Sequence, residues 1–421
     1  MIVLRDRKAC TGCTACAAAC PLQCIRMEAD REGFLYPVID EAACVHCGLC
    51  EEACPVGRTG RDLQGKKQKE HEERAGQDAY VLQHRDQEIC RESTSGGAFT
   101  AVAEWIIERG GVVFGAAMQE DLTVRHIPVQ DKEGLWKFRN SKYVQSAVGD
   151  TFREARAFLE EGRWVCYSGT PCQIEGFRAF LGKDYETLLC VDIVCRAVPS
   201  PMILRKYIEM QQECVGDFAK IRFRDKHHGY KYSALALFDC SGKKVYARGI
   251  DSDQMLRAFF SNICVRPSCY HCQFKKRYRV SDLTLWDCFD VFLFDRKMDN
   301  DRGATSVLIQ SDRGRQVLEQ IRDRVRCVPV PADRLTEGMT EMVQSVPENP
   351  AREAFFDDAV RLSGKELFTL YFPETMKVRF ARFLRSSMCT IGIYAPVNRF
   401  YKRLKRKKRA AAQRKNSRNM S

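Results

Sequence analysis

Residues 10–21 read CTGCTACAAACP and residues 44–55 read CVHCGLCEEACP, and these two stretches decide how the N-terminal part folds. Each carries the spacing Cys-x2-Cys-x2-Cys-x3-Cys-Pro, with Cys10, Cys13, Cys16 and Cys20 in the first and Cys44, Cys47, Cys50 and Cys54 in the second. Thiolates at every third position of a loop wrap around one cube of iron and sulfide. The fourth, set off by three residues and a Pro turn, points at the other cube. The spacing therefore assigns Cys10, Cys13, Cys16 and Cys54 to one 4Fe–4S cluster and Cys44, Cys47, Cys50 and Cys20 to a second. Zinc also takes Cys-x-x-Cys pairs, but its sites rarely use triplets closed by Cys-Pro, and here the whole run occurs twice. Cys24 fits neither run and reads as a structural thiol, and His46 reads as a solvent-facing loop residue.

Between the runs GFLYPVID (33–40) reads as a strand, so residues 1–57 have the repeat of a two-cluster ferredoxin-like domain. Residues 58–78 (RTGRDLQGKKQKEHEERAGQD) are charged and nearly free of aliphatic side chains, which predicts a linker or an exposed helix. Beyond it strand and helix patterns alternate. GGVVFGAAM (110–118) reads as a strand, preceded by a helix over 97–110. Residues 163–181 and 188–210 each read strand, turn, helix; 233–248 reads as a hairpin across Ser-Gly; 304–321 is again strand, turn, helix. The fold class is α+β, a ferredoxin-like domain followed by a mixed α/β domain over 79–345. A helical region at 346–376 and a basic tail at 377–421 complete the expected organisation.

No G-x-G-x-x-G follows any strand, so a Rossmann nicotinamide site is unsupported. Ser93-Thr94-Ser95-Gly96-Gly97 opens a helix. Its hydroxyls can cap the helix, and its glycines would let a phosphate reach free N–H groups. Gly169-Thr170-Pro171-Cys172 is a second such loop, with Cys172 either a redox thiol at a helix start or an inert buried one. Cys264-x4-Cys269-x2-Cys272, together with Cys195, can complete a further cluster or a zinc site, with His271 a less favoured ligand. The His227-His228 pair could serve a metal or substrate site, but consecutive histidines usually line a polar loop.

At 421 residues the chain needs more than one core, and a hydrophobic content of 45% suits a folded protein. No run approaches the roughly 18 apolar residues of a membrane span, and MIVLRDRKAC lacks a signal-peptide pattern. A cytoplasmic location follows, where 22 cysteines point to metal ligation or redox chemistry rather than disulfides. The net charge of +13 resides at one end: Lys377 to Ser421 holds 15 Lys and Arg and no Asp or Glu. Interleaved aromatics give that tail the character of a segment for an anionic membrane surface, peripheral on the inner face, against a solvated tail; nucleic acid is the less favoured partner.

STSGGAFT, SKYVQS, GTPCQIEGFRAFL, DIVCRAVPSP, FRDK, RPSCYHCQFK, VSDLTL and GATSVLI occur in this order. As a set they resemble the coenzyme F-420 hydrogenase/dehydrogenase beta subunit family, bacterial type with a fused ferredoxin module, over about Tyr80 to Gln310. The resemblance implies non-covalent FAD in the mixed α/β domain, with a third 4Fe–4S cluster beside it held by Cys195, Cys264, Cys269 and Cys272. It implies flavin contacts at Ser95, Gly96, Gly97, Lys142, Gln145, Gly169 and Thr170, and a cation at Lys142 suits an anionic reduced flavin. The chain departs from the family pattern at Cys195-Arg196-Ala197-Val198-Pro199-Ser200-Pro201 and at Trp286-Asp287-Cys288-Phe289-Asp290, close to where an acceptor would be recognised. The expectation is a ferredoxin-linked, FAD-dependent iron–sulfur oxidoreductase. Ferredoxin or another electron-donor protein would be its partner, and a small molecule or deazaflavin its acceptor. The alternative is a non-catalytic electron-transfer subunit serving a partner enzyme. No catalytic side chain is assigned.

Overall fold

The computed structural model describes residues 7–56, 69–73, 76–394, 396, 397 and 400. Most of the expected linker, and the tail beyond Phe400, lie outside these residues. In the N-terminal module β1 (Ile25–Ala29) and β2 (Leu35–Ile39) pair antiparallel, Ile25 opposite Ile39. Asp30 Oδ1 accepts from the N–H groups of Glu32 and Phe34, and Gly33, at φ +83°, closes the turn.

The larger body contains β3 (Asp78–His84), β4 (Val112–Met118), β5 (Val124–Val129), β6 (Val165–Gly169), β7 (Leu188–Ile193), β8 (Lys220–Asp225), β9 (Ala234–Phe238), β10 (Lys244–Gly249), β11 (Leu283–Asp287), β12 (Thr305–Ile309) and β13 (Val325–Pro331). Eight form one mixed sheet in the order β13-β3-β12-β11-β7-β6-β4-β5, and β8, β9 and β10 form a separate antiparallel sheet. At its centre β4, β6, β7 and β11 run parallel, so their C-terminal ends gather along one edge. Alternation along these strands divides the core. Val113, Cys166 and Leu189 meet the helix Ala98–Ile107 on one face. Phe114, Tyr167 and Cys190 meet the helices Thr151–Glu160 and Pro171–Leu181 on the other. Both faces are covered, which is why these strands read as continuous apolar runs.

The ferredoxin-like module seats against the second face. Cys13, Ala15 and Ala18 share a core with Phe152 and Phe177, and a Cβ added at Gly176 would stand 2.8 Å from Cys13 Sγ. Arg153 donates to the carbonyls of Ala17, Ala18 and Cys20. Arg266, fully buried, donates to those of Cys10 and Leu35. Arg352 pairs with Glu32 through both oxygens. The helices Arg352–Arg361 and Gly364–Tyr371 pack with Pro201–Val215, and Met376–Thr390 follows. Among the described residues no helix is long and apolar enough to cross a membrane.

Candidate functional site

Cys10, Cys13, Cys16 and Cys54 line one small cavity of the module, and Cys20, Cys44, Cys47 and Cys50 line a second. The fourth thiol of each run thus crosses to the other run's loop, as the spacing requires. Thr14 and Gly48, both at positive φ, turn these loops into the short helices that carry Cys16 and Cys50. Burial pushes the Cys13 thiol up to about 12. Cys24, read as a core or structural thiol, is buried in the module's core and stands in the wall of the second cavity, its Sγ 3.3 Å from that of Cys20.

A third group of thiols gathers in the larger body, with one correction. Cys195, Cys269 and Cys272 line a common cavity, but the fourth thiol there is Cys172, not Cys264. Pro199 pairs with Val265 as an isolated bridge. Cys264, one residue earlier, is turned into the apolar core with Met255, Ile263 and Phe356 and is fully buried. Cys172 reaches the cavity from the first turn of Pro171–Leu181, its Sγ 3.2 Å from Thr170 Oγ1. Burial and the neighbouring Cys272 and Cys195 raise its pKa, which argues against a free redox thiolate there. Lys275 Nζ donates to the carbonyls of Cys195, Arg196 and Glu341, placing a cation beside the thiols. Among the described residues no group of three or more His, Cys, Asp or Glu is spaced to hold a single metal ion, the N-terminal cysteines included.

Beside the third group lies a cavity of about 620 Å³, at the C-terminal ends of β4, β6, β7 and β11. Such crevices are the usual ligand sites of parallel sheets. The helix Ala98–Ile107 points its N-terminus into it: Gly97 is the N-cap, no side chain caps the first N–H groups, and Ala98 and Phe99 line the wall. The hydroxyls expected to cap are used elsewhere, Ser95 with Thr305 at 2.9 Å and Thr94 with Ser141 at 3.0 Å. Arg139, also in the wall, has a buried Nε without a hydrogen-bond partner. Open helix N–H groups beside an orphaned guanidinium nitrogen fit a phosphate.

Lys142 lines the cavity and donates to the carbonyls of Lys137 and Arg139. Burial pulls its pKa down to about 7. His126 Nε2 donates to the Ser168 carbonyl at 3.0 Å, so Nδ1 accepts from Ser146 Oγ at 2.7 Å; burial holds the ring neutral, near a pKa of about 4. At the opposite wall Arg224 donates to Tyr143 Oη at 3.0 Å and to Asp287 Oδ2 at 3.1 Å. Asp287 therefore supplies the counter-charge of Arg224.

Of the expected flavin contacts, Ser95, Gly97, Lys142, Gln145, Gly169 and Thr170 line this cavity. Gly96 does not. Its N–H donates to Thr305 Oγ1 and its carbonyl accepts from His84, and a Cβ there would meet Leu82 O at 2.5 Å, so strand packing requires the glycine. Gln145 has its amide committed, Nε2 to Thr11 O and Oε1 to Arg266, and it ties the ferredoxin module to the wall. Sequence reasoning singled out none of Arg224, Tyr143, His126 and Thr11: the first two stand within FRDK and SKYVQS and Thr11 within the first cysteine run, but nothing local marks them as cavity residues, and His126 stands in no quoted motif. Thr11 lies between cysteines of the first run and lines the first cluster cavity, the third thiol group and the large cavity alike.

Residues 9–58 match the model of the 4Fe-4S dicluster domain. Residues 162–333 match the model for the C terminus of the coenzyme F-420 hydrogenase/dehydrogenase beta subunit. The chain is thus similar to this beta subunit family over residues 162–333 and to the dicluster domain over residues 9–58. A chain of the F-420-reducing [NiFe] hydrogenase complex from Methanosarcina barkeri is similar over 69% of this chain and 89% of that chain, at 15% identity and a TM-score of 0.42. No curated protein matches. The second of these matched regions contains Cys172, Cys195, Cys269, Cys272 and Asp287. Ser93–Gly97, Lys142 and the helix Met376–Thr390 lie outside it.

Proposed function

We propose that this iron–sulfur protein of an oxidoreductase family carries electrons through three cluster sites to FAD in the large cavity. There it reduces, or oxidises, a small molecule or a deazaflavin-type coenzyme. One observation carries the reading: Thr11 stands in the walls of three cavities, so the first cluster site, the Cys172 group and the large cavity are contiguous. The site of Cys20, Cys44, Cys47 and Cys50 stands at the surface end. Cys47 is exposed there, with Val45, Leu22 and Leu49 exposed around it, a face for an electron-donor protein. When bound, FAD would couple one-electron donors to a two-electron acceptor. The chain's own residues bind and orient it. The Ala98–Ile107 N-terminus and Arg139 would take phosphate, and Lys142 would face negative charge. Arg224, held by Asp287 and Tyr143, would meet an anionic acceptor.

The test is an anaerobic spectrum of gently purified protein, followed by titration with reduced ferredoxin, NADH and reduced deazaflavin. Bound flavin that bleaches with one of these donors is expected. Protein without flavin that FAD does not reconstitute would overturn the reading and leave a non-catalytic electron-transfer subunit.

A further inference from the structure

A helix at the surface of a folded body normally turns its apolar side inward. The helix Met376–Thr390 turns its large apolar side chains outward as well. None of its residues is buried, and Met376, Phe380, Phe383 and Leu384 are exposed, as is Ile391 just beyond it. Steps of four, three, one and seven residues place these side chains on one outward stripe. Phe380 and Phe383 are 67% and 69% exposed. The inward side carries the smaller or half-buried Val378, Ala381, Met388 and Cys389 and is fastened by polar groups: Arg382 pairs with Glu374, Arg385 Nη1 stands 3.1 Å from Asp251 Oδ1, and the Tyr394 ring lies 5.0 Å from that of Tyr232. Arg385 and Tyr394 form part of the wall of the large cavity. Lys377 and Arg379 are exposed beside the stripe, and the chain from Lys377 onward has 15 cations and no carboxylate side chain.

We propose that this stripe seats on an anionic lipid bilayer, with Phe380, Phe383 and Leu384 among the acyl chains and the cations at the headgroups. That places one wall of the large cavity at the membrane surface. An interfacial helix needs an apolar face flanked by cations, and this one has both. A second copy of the chain would bring two purely cationic segments together, which Coulomb repulsion opposes. A nucleic acid would use the cations but offer the phenylalanines no apolar phase. The proposal does not depend on flavin in the cavity.

The test is co-sedimentation of the purified full-length protein with phosphatidylglycerol/phosphatidylcholine vesicles at low and high salt. Binding at low salt is expected to weaken at high salt and to be much weaker on phosphatidylcholine alone. F380S/F383S should lower partitioning about tenfold or more, by the burial value of two aromatic side chains. Iron and flavin content should not change, because both side chains are exposed. Retention on a heparin column should not change either. No binding to the mixed vesicles, equal binding to phosphatidylcholine alone, or equal vesicle binding by the double variant would each overturn the proposal. The last result would make the segment a polyanion-binding arm.

Discussion

The sequence reads Cys264 as a cluster ligand and Cys172 as a redox or inert thiol, and their tertiary neighbours exchange the two. Replacing Cys172 by Ser should cut iron from about 12 to about 8 per chain, by the stoichiometry of three cubes against two. Cys264→Ser should leave iron unchanged and lower the melting temperature, since an unpartnered buried hydroxyl costs about 1–3 kcal/mol. Iron analysis beside thermal melts checks both, and the reverse pattern would restore Cys264 as the ligand. The loop glycines carry a similar lesson. A Cβ at Gly97 would meet His84 Cβ and Ile89 Cγ2 at 3.0 Å with φ at +80°, so flavin lost from Gly97→Val would report packing rather than phosphate contact. Lys142 is the cleaner probe. Its pKa falls from 10.5 to about 7 in the folded protein. Below pH 7 the fold buries a cation; between 7 and 10.5 the unfolded chain binds the extra proton, so this group's contribution to stability rises with pH across that window. An anionic ligand favours the protonated form, so FAD should be held more tightly below pH 7 than above it. Lys142→Met should flatten this dependence between pH 6 and 8 and weaken binding at pH 6 about tenfold, by the worth of a charge-assisted contact. Equilibrium dialysis across that range measures it, and an unchanged slope in the variant would remove Lys142 from the site.

The elements divide into those that a local pattern announces and those that it does not. The helix Pro171–Leu181 was legible because Thr170 and Pro171 mark its start and Gly182, at positive φ, its end. The hairpin of β9 and β10 was legible from its alternation and its Ser-Gly turn. β3 and β13 were not: their register, Val325 opposite His84 through Pro331 opposite Asp78, joins segments far apart in the chain. The packing of the two cluster-bearing elements was equally hidden. Gly176 reads as an ordinary helical glycine, yet a side chain there would meet Cys13 Sγ at 2.8 Å and Cys13 Cβ at 3.1 Å. Gly176→Val should force this helix and the first cysteine loop apart. The expected result is loss of the EPR signal from the Cys10, Cys13, Cys16 and Cys54 cluster, with the Cys20, Cys44, Cys47 and Cys50 cluster retained. If both signals survive and electrons still reach the flavin, the contact is not a required path.

For the whole molecule, the sequence suggests two bodies joined by a charged linker, and the contacts argue for one cooperative unit. Arg266 is fully buried and spends its donors on Cys10 O, Leu35 O and Gln145. Arg352 and Glu32, both nearly buried, form a two-pronged pair across the same seam. Gln145 and Arg153 add further bonds to the carbonyls of residues 11–20. Deleting the module would strand these groups, and removing one partner of a buried ion pair costs about 3–5 kcal/mol. Against a typical total of about 5–15 kcal/mol, losing Glu32 and the acceptors of Arg266 together approaches the whole stability of the remainder. A chain beginning at Asp78 should therefore aggregate, or melt far below the full-length protein, which itself should melt in a single transition. Calorimetry on the two proteins decides the point. Two separate transitions in the full chain, with the Asp78 chain melting at the upper one and keeping its flavin, would show that the large body stands alone and that the seam serves electron transfer only.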